Sequence, residues 1–248
     1  MRKSLITSLA AAVVAGLFTV APASADTFSV EAGATSNNVW RGLSKSNGNP
    51  TVYGAVQLET GDAYVRLSGT SVDMKALSPD TTEFVLEAGY NYGFGDRLDV
   101  QAGASYYQIG DDIGYVEVFA RPSLDVTKRV RVKGEVAYTP KAALFENARP
   151  LNGLTQPIDE GYWASAGVEA DITKVMGFDL TGDANVGYHK IDGLDEYTTY
   201  NTGVTASTID GLYADVRYYD NVALNNFLDQ NFDKDNITVT IGYKLTIG

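Results

Sequence analysis

The chain has no cysteine and a single histidine, His189. It therefore has no disulfide framework and no structural zinc site of the usual thiolate and imidazole kinds, and no cofactor is expected. Proline is scarce, with 7 residues in 248, and no convincing amphipathic helical period appears. Beyond the first 25 residues no apolar run approaches the roughly 20 residues that a membrane-spanning helix needs. Positive charge is also short, with 19 Lys and Arg against 31 Asp and Glu and a net charge of −12. That balance argues against nucleic acid as a partner, because phosphates demand Lys and Arg. It suits a surface that must stay soluble, or an aqueous passage with acidic walls. Nothing resembles a phosphate-cradling glycine loop.

The first residues read as a leader. Arg2 and Lys3 precede an uncharged run from Ser4 to Val20, which ends at Ala23-Ser24-Ala25. A basic start, a short apolar stretch and an A-x-A site predict a secretory signal, residues 1–25, cut after Ala25. Residues 26–248 are then the mature domain, and no cysteine follows the cut to carry a lipid anchor.

From there a period of two dominates. Between Thr51 and Val72, Val52, Gly54, Val56 and Leu58 alternate with Tyr53, Ala55, Gln57 and Glu59, Gly61-Asp62 turns the chain, and the alternation resumes. Each arm has one apolar and one polar face. The same unit recurs, predicting about twelve strands near residues 27–36, 51–60, 63–73, 82–92, 98–109, 115–124, 129–139, 162–172, 178–189, 197–207, 212–220 and 237–247. Strands of this length suit a tilted membrane crossing of about 9–11 residues better than a soluble sheet.

The connections alternate in length. Gly61-Asp62, Gly93 to Arg97, Asp125 to Lys128, Thr173 to Gly177 and Thr208 to Gly211 are short. Asn37 to Pro50, Met74 to Thr81, Lys141 to Gly161, Lys190 to Glu196 and Asn221 to Asn236 are longer, with Gly110 to Gly114 the exception. Short periplasmic turns, longer extracellular loops and an even strand number define an outer-membrane barrel with both termini periplasmic. The predicted fold is all-β, a closed antiparallel transmembrane β-barrel of about 12 strands. On the apolar face Phe28, Tyr92, Phe178 and Tyr243 fall at the periplasmic strand ends, and Tyr106, Tyr138, Tyr162, Tyr188 and Tyr218 at the outer ends. Two such girdles mark the headgroup levels. The tenth strand, Tyr197 to Ser207, carries Thr, Asn and Gly on both faces, so its register is open.

The opposite face is dense with charge, including Glu31, Glu59, Asp99, Glu135 and Lys244. The candidate pore-lining residues are Arg41, Arg66, Glu83, Glu87, Glu117, Arg121, Arg129, Arg131, Lys133, Glu169, Asp171, Asp179, Asp183, Asp215 and Arg217. Unpaired charge cannot fill a dry core. These residues must face water or one another, and a closed lumen allows both. Arg121, Arg129, Arg131 and Lys133 form a basic wall at about the height of Glu169, Asp171, Asp179 and Asp183. Hydrated, such walls set ion selectivity; paired across a narrow lumen, they plug it.

Residues 36–74 carry a family resemblance. The run S-N-N-V-W-R-G-L-S-K-S-N-G-N-P-T-V-Y-G, followed by G-D-A-Y-V-R-L-S-G-T-S-V-D-M, resembles the TorF-type porin family. Trp40, Arg41, Gly42, Leu43, Ser44 and Pro50 occupy the aromatic-Arg-Gly-hydrophobic-Ser and proline positions of that pattern. Glu87-Ala88-Gly89-Tyr90 and Tyr115-Val116-Glu117-Val118-Phe119 look like later blocks of it. The resemblance implies an outer-membrane barrel with a pore and says little about the permeant.

Two readings of Arg41 stay open: a constriction residue folded into the lumen, or a turn stacked on Trp40 that anchors the first loop. Catalysis finds little support. The residue two after His189 is Ile191, where a barrel phospholipase has serine, and Asp111-Asp112 and Asp195-Glu196 read as turn residues rather than acid pairs. Asp229, Asp233 and Asp235 lack the spacing and glycine of a Ca²⁺ loop. The expected function is passive diffusion of small polar or ionic solutes with a mild cation preference, and no enzyme activity. The alternative is a closed structural or adhesion barrel whose outer loops bind a partner. Expected partners are outer-membrane lipid and lipopolysaccharide, the barrel-assembly machinery and the solutes themselves.

Overall fold

The computed structural model describes residues 26–74, 78–110, 113–140, 160–192, 196–222 and 236–248. Its strands are β1 (Thr27–Thr35), β2 (Val39–Trp40), β3 (Leu43–Ser44), β4 (Thr51–Thr60), β5 (Ala63–Met74), β6 (Ser78–Phe94), β7 (Leu98–Ile109), β8 (Ile113–Thr127), β9 (Val130–Thr139), β10 (Gly161–Val175), β11 (Phe178–Ile191), β12 (Tyr197–Ser207), β13 (Leu212–Val222) and β14 (Asn236–Ile247). Twelve of them form one closed antiparallel barrel, and β2 and β3 pair apart from it. Closure runs through β1, where Phe28 lies opposite Leu58 on one side and Ile247 on the other. No barrel strand is left with an unpaired edge, as hydrocarbon requires.

The alternation sorts the side chains as expected. Val65, Leu86, Val118, Val136, Val186, Val216 and Ile241 are exposed on the outer wall. Tyr92 and Tyr243 stand out from it near the short turns and the termini, here the turn end, and Tyr106, Tyr162 and Tyr188 near the long connections, the loop end. Exposed large apolar side chains stand on eleven of the twelve barrel strands, far more than the single patches a water-soluble monomer exposes. Inside, Tyr64, Phe119, Ala137 and Trp163 form one buried cluster, and Val72, Tyr107, Ile109 and Tyr115 another.

Several boundaries differ from the sequence reading. β6 extends to Ser78–Phe94, and β10 reaches Val175 by way of a register shift between Asp171 and Thr173. An irregular residue breaks the period of two there, so the alternation stops in the sequence while the strand continues. Arg129 was expected on a strand wall. It occupies the exposed two-residue turn between β8 and β9, because Val130 already pairs with Thr127. β12 settles its register with Tyr197, Thr199 and Asn201 facing inward, Tyr197 and Thr199 being buried. The candidate Ca²⁺ residues Asp229, Asp233 and Asp235, with Asp111, Asp112 and Asp195, lie outside the described residues.

Candidate functional site

The lumen is shaped by the first long connection. Arg41 and Gly42, with φ of 50° and 78°, join β2 to β3. Two successive residues at positive φ make the tight hairpin turn whose twist matches the strands it links. At Gly42 the requirement is steric as well. An added Cβ would lie 2.2 Å from Thr199 Oγ1, and the Gly42 carbonyl accepts a 2.6 Å hydrogen bond from Asn221 Nδ2. The hairpin is therefore pressed into the barrel against β12 and β13.

Its two cations fasten it to the opposite wall. Arg41 donates from Nη1 and Nη2 to both oxygens of Glu117 on β8, at 2.7 and 2.8 Å, and from Nη2 to Glu135 on β9 at 3.0 Å. Lys45 Nζ donates to Glu83 on β6 at 2.6 Å. Both pairs are dry, with side-chain exposures of 7 and 2 % for Arg41 and Glu117 and 4 and 7 % for Lys45 and Glu83. Burial acts to depress the Arg41 pKa, but Glu117 and Glu135 outweigh it, and the guanidinium titrates above its ordinary value. The Trp40 ring lies between the two cations, 4.5 Å from the Arg41 guanidinium and 4.2 Å from Lys45 Nζ. Trp163 flanks Arg41 from β10 at 4.9 Å. Stacked turn and inward constriction are thus one arrangement, since Arg41 stacks on Trp40 while reaching across the lumen.

His189 sits in the same cluster. Its ring meets Trp40, Trp163 and Tyr197 edge to face at 5.6, 5.8 and 5.3 Å, and Nδ1 lies 2.8 Å from the Tyr197 hydroxyl. This is the packing of a buried structural imidazole.

Toward the turn end the charges lie along the wall. Arg121 on β8 donates to both oxygens of Glu87 on β6, at 2.9 and 3.0 Å, and to Glu135 at 3.3 Å. Arg217 on β13 holds Asp183 at 2.5 and 2.6 Å and Asp215 at 3.1 Å. Arg66 binds Glu31 at 2.9 Å, Lys133 pairs with Glu169, and Arg131 with Asp125 at 2.7 Å. Lys174 binds Asp179 at the turn-end rim, where Asp171 is also exposed. Arg217 and Asp215 share β13, and every other pair joins strands that are adjacent or next but one, so the basic wall is neutralised sideways instead of across the bore. Of the sequence candidates, Arg129 lies on the β8–β9 turn and Arg41 on the β2–β3 hairpin, both off this wall.

Space remains inside. A cavity of about 550 Å³ near the turn end is lined by Asp99, Gln101, Arg121, Lys133 and Asn185. It shares Arg121, Glu135, Ser165 and Asn185 with a cavity of about 560 Å³ at mid-height beneath Arg41 and Trp40. That one shares Val39, Ser68, Glu83, Val85 and Tyr219 with a third, about 300 Å³, which reaches Thr35 and Thr238 at the loop end. The cavities form a chain that passes the hairpin on the side of β14, β1, β4 and β5. The sequence reading missed Lys45, and it missed that Thr199 and Asn221 seat the hairpin. Arg-Gly between Val39-Trp40 and Leu43-Ser44 was the available signal, as two short arms around a glycine turn.

The model of the family described as "Bacterial protein of unknown function (Gcw_chp)" matches residues 19–244. That description includes no porin name, so the TorF-type assignment rests on the sequence resemblance alone. No curated protein matches the sequence. Among solved structures, the KdgM porin is 11% identical with a TM-score of 0.57, covering 90% of this chain and 99% of its own. The NanC porin is 12% identical with a TM-score of 0.58, covering 88% and 100%. The COG4313 outer membrane channel from Pseudomonas putida F1 is 14% identical with a TM-score of 0.54, covering 92% and 97%. At these identities the likeness is one of fold.

Proposed function

This chain belongs to the Gcw_chp family of bacterial proteins of unknown function, and we propose that it is an outer-membrane porin for small polar or ionic solutes, its lumen narrowed by the β2–β3 hairpin. The observation that carries this reading is the succession of three cavities, sharing lining residues from turn end to loop end, beside wall charges that pair in the plane of the barrel. The apolar belt and the two aromatic girdles support a bilayer location, and the porin and channel names of the structural neighbours agree with it.

In this reading residues 1–25 direct export and are removed, the turn end is periplasmic, and the outer belt meets lipid and lipopolysaccharide after insertion by the barrel-assembly machinery. We assign no catalytic role. The acidic surplus, with Asp99 facing the lower cavity, supports a mild cation preference, since a fixed charge of one sign concentrates counter-ions. The test is the purified, refolded protein in a planar bilayer under a salt gradient. Ohmic steps with a reversal potential on the cation side are expected. An anion-side potential would overturn the preference. A silent membrane holding folded protein would overturn the porin and favour a closed barrel that works through its loops.

A further inference from the structure

We propose that the mid-height cavity beneath the hairpin is a binding site for a small aliphatic amine in its cationic, ammonium form. The inference deepens the cation preference of the porin reading and rests on that reading for the claim that the bound amine is in transit. Three observations carry it.

The first is how the wall cations spend their donors. Arg217 makes five hydrogen bonds, two to Asp183, two to Asp215 and one to Asn201, and a guanidinium has five N–H groups. Arg121 makes four, to both oxygens of Glu87, to Gln101 and to Glu135. Arg41 and Lys45 are sealed in the hairpin latch, with 7 and 4 % of their side-chain surface exposed. The positive groups at this height therefore have little left to offer a solute.

The second is what the carboxylates keep. Glu87 accepts four hydrogen bonds, two from Arg121 and one each from Tyr64 and Ser105, which fills the roughly four lone-pair sites of a carboxylate. Glu135 and Asp183 are different. Among the described residues, Glu135 accepts one side-chain bond on each oxygen, from Arg41 and Arg121, and Asp183 one on each, both from Arg217. Their side chains are 24 and 23 % exposed, and both line this cavity. The adjacent Val136 and Ala184 are exposed on the outer wall, so the two carboxylates point inward and their spare lone pairs open on the lumen.

The third is the charge balance. Arg41 and Arg121 are shared among Glu87, Glu117 and Glu135, and Arg217 between Asp183 and Asp215. Among the described residues, each network holds one carboxylate more than it has guanidinium groups, while Lys45 and Glu83 cancel. The cavity thus combines net negative charge with exposed acceptors, and an ammonium group meets both, by its charge and by its N–H donors. A volume of about 560 Å³ gives room for a small organic ion. Val85 and Tyr219 in the same lining offer apolar surface to its carbon chain.

The probe is 1,4-diaminobutane, with butane-1,4-diol and succinate as neutral and anionic counterparts of similar length, added to wild type, Glu135→Gln and Asp183→Asn in a planar bilayer. Each substitution removes one charge and leaves every guanidinium a carboxylate, since Arg41 keeps Glu117, Arg121 keeps Glu87 and Arg217 keeps Asp215. The diamine is expected to reduce the wild-type potassium current saturably. Each substitution should raise the half-blocking concentration about tenfold, the value of one hydrogen bond to a charged group. The diol and succinate are expected to give no saturable block. No saturable block of wild type by the diamine, equal block of all three proteins, or block by the diol or succinate as strong as the diamine's would overturn the site while leaving the porin intact. If no current flows, the porin reading fails and the site is tested in detergent by the fluorescence of Trp40 and Trp163, the two tryptophans of the chain, which both line the cavity. A saturable change with the diamine that Asp183→Asn weakens would uphold the site. A flat titration, or one that the variant leaves unchanged, would overturn it.

Discussion

The two ends of the lumen use the same ion-pair chemistry with different weight. At the hairpin, Arg41–Glu117 and Lys45–Glu83 are almost wholly buried, whereas Lys133 and Glu169 near the turn end keep 46 and 27 % of their side-chain surface in water. A dry pair is held by geometry, and breaking it strands a charge. A wet pair is screened and its partners are readily rehydrated. The loop end is thus held by fixed, dry pairs, and the turn end by adaptable, hydrated ones.

Arg41→Ala should have the largest effect, because it leaves Glu117 buried and unpaired. We expect a loss of about 3–5 kcal/mol, read as a lower denaturant midpoint of the barrel in micelles or as release of the hairpin to protease. Joint replacement by Arg41→Met and Glu117→Leu should restore most of the stability, since apolar pairs of similar volume replace buried ion pairs with little cost. If the double variant is as weak as the single one, the latch is not ionic. Lys45→Met should follow, at about 3 kcal/mol by the same route through Glu83.

Gly187→Ala comes next. Its new Cβ would lie 2.1 Å from the Trp163 ring, which lies against β11 and flanks Arg41. Overpacking of this kind costs about 1–3 kcal/mol, and near-ultraviolet circular dichroism should show the tryptophan environment change. Lys133→Ala should have the smallest effect, under about 1 kcal/mol and vanishing at high salt. A loss there as large as that of Arg41→Ala would erase the contrast between the two ends.

The barrel was legible because lipid and water impose opposite demands on successive residues. Val52, Val56 and Leu58 could face one solvent only, and Gln57 and Glu59 the other. The inward hairpin was not, because arms of two residues are too short to show a period. Nor does local sequence reveal that Arg41 would meet Glu117, 76 residues away. Arg129 shows the limit at boundaries: its parity suited the wall, but one residue of turn moved it outside. Thr, Asn and Gly left β12 without a preferred face, and pairing with β11 and β13 fixed its register.

The most direct test of the account compares single-channel conductance of wild type and Arg41→Ala in planar bilayers. We predict steady ohmic steps for wild type and larger, noisier steps for the variant, because the freed hairpin no longer narrows the lumen. Equal conductance in the two proteins would contradict the hairpin as the constriction. Silence from both, with folded barrels in the membrane, would contradict the open lumen itself.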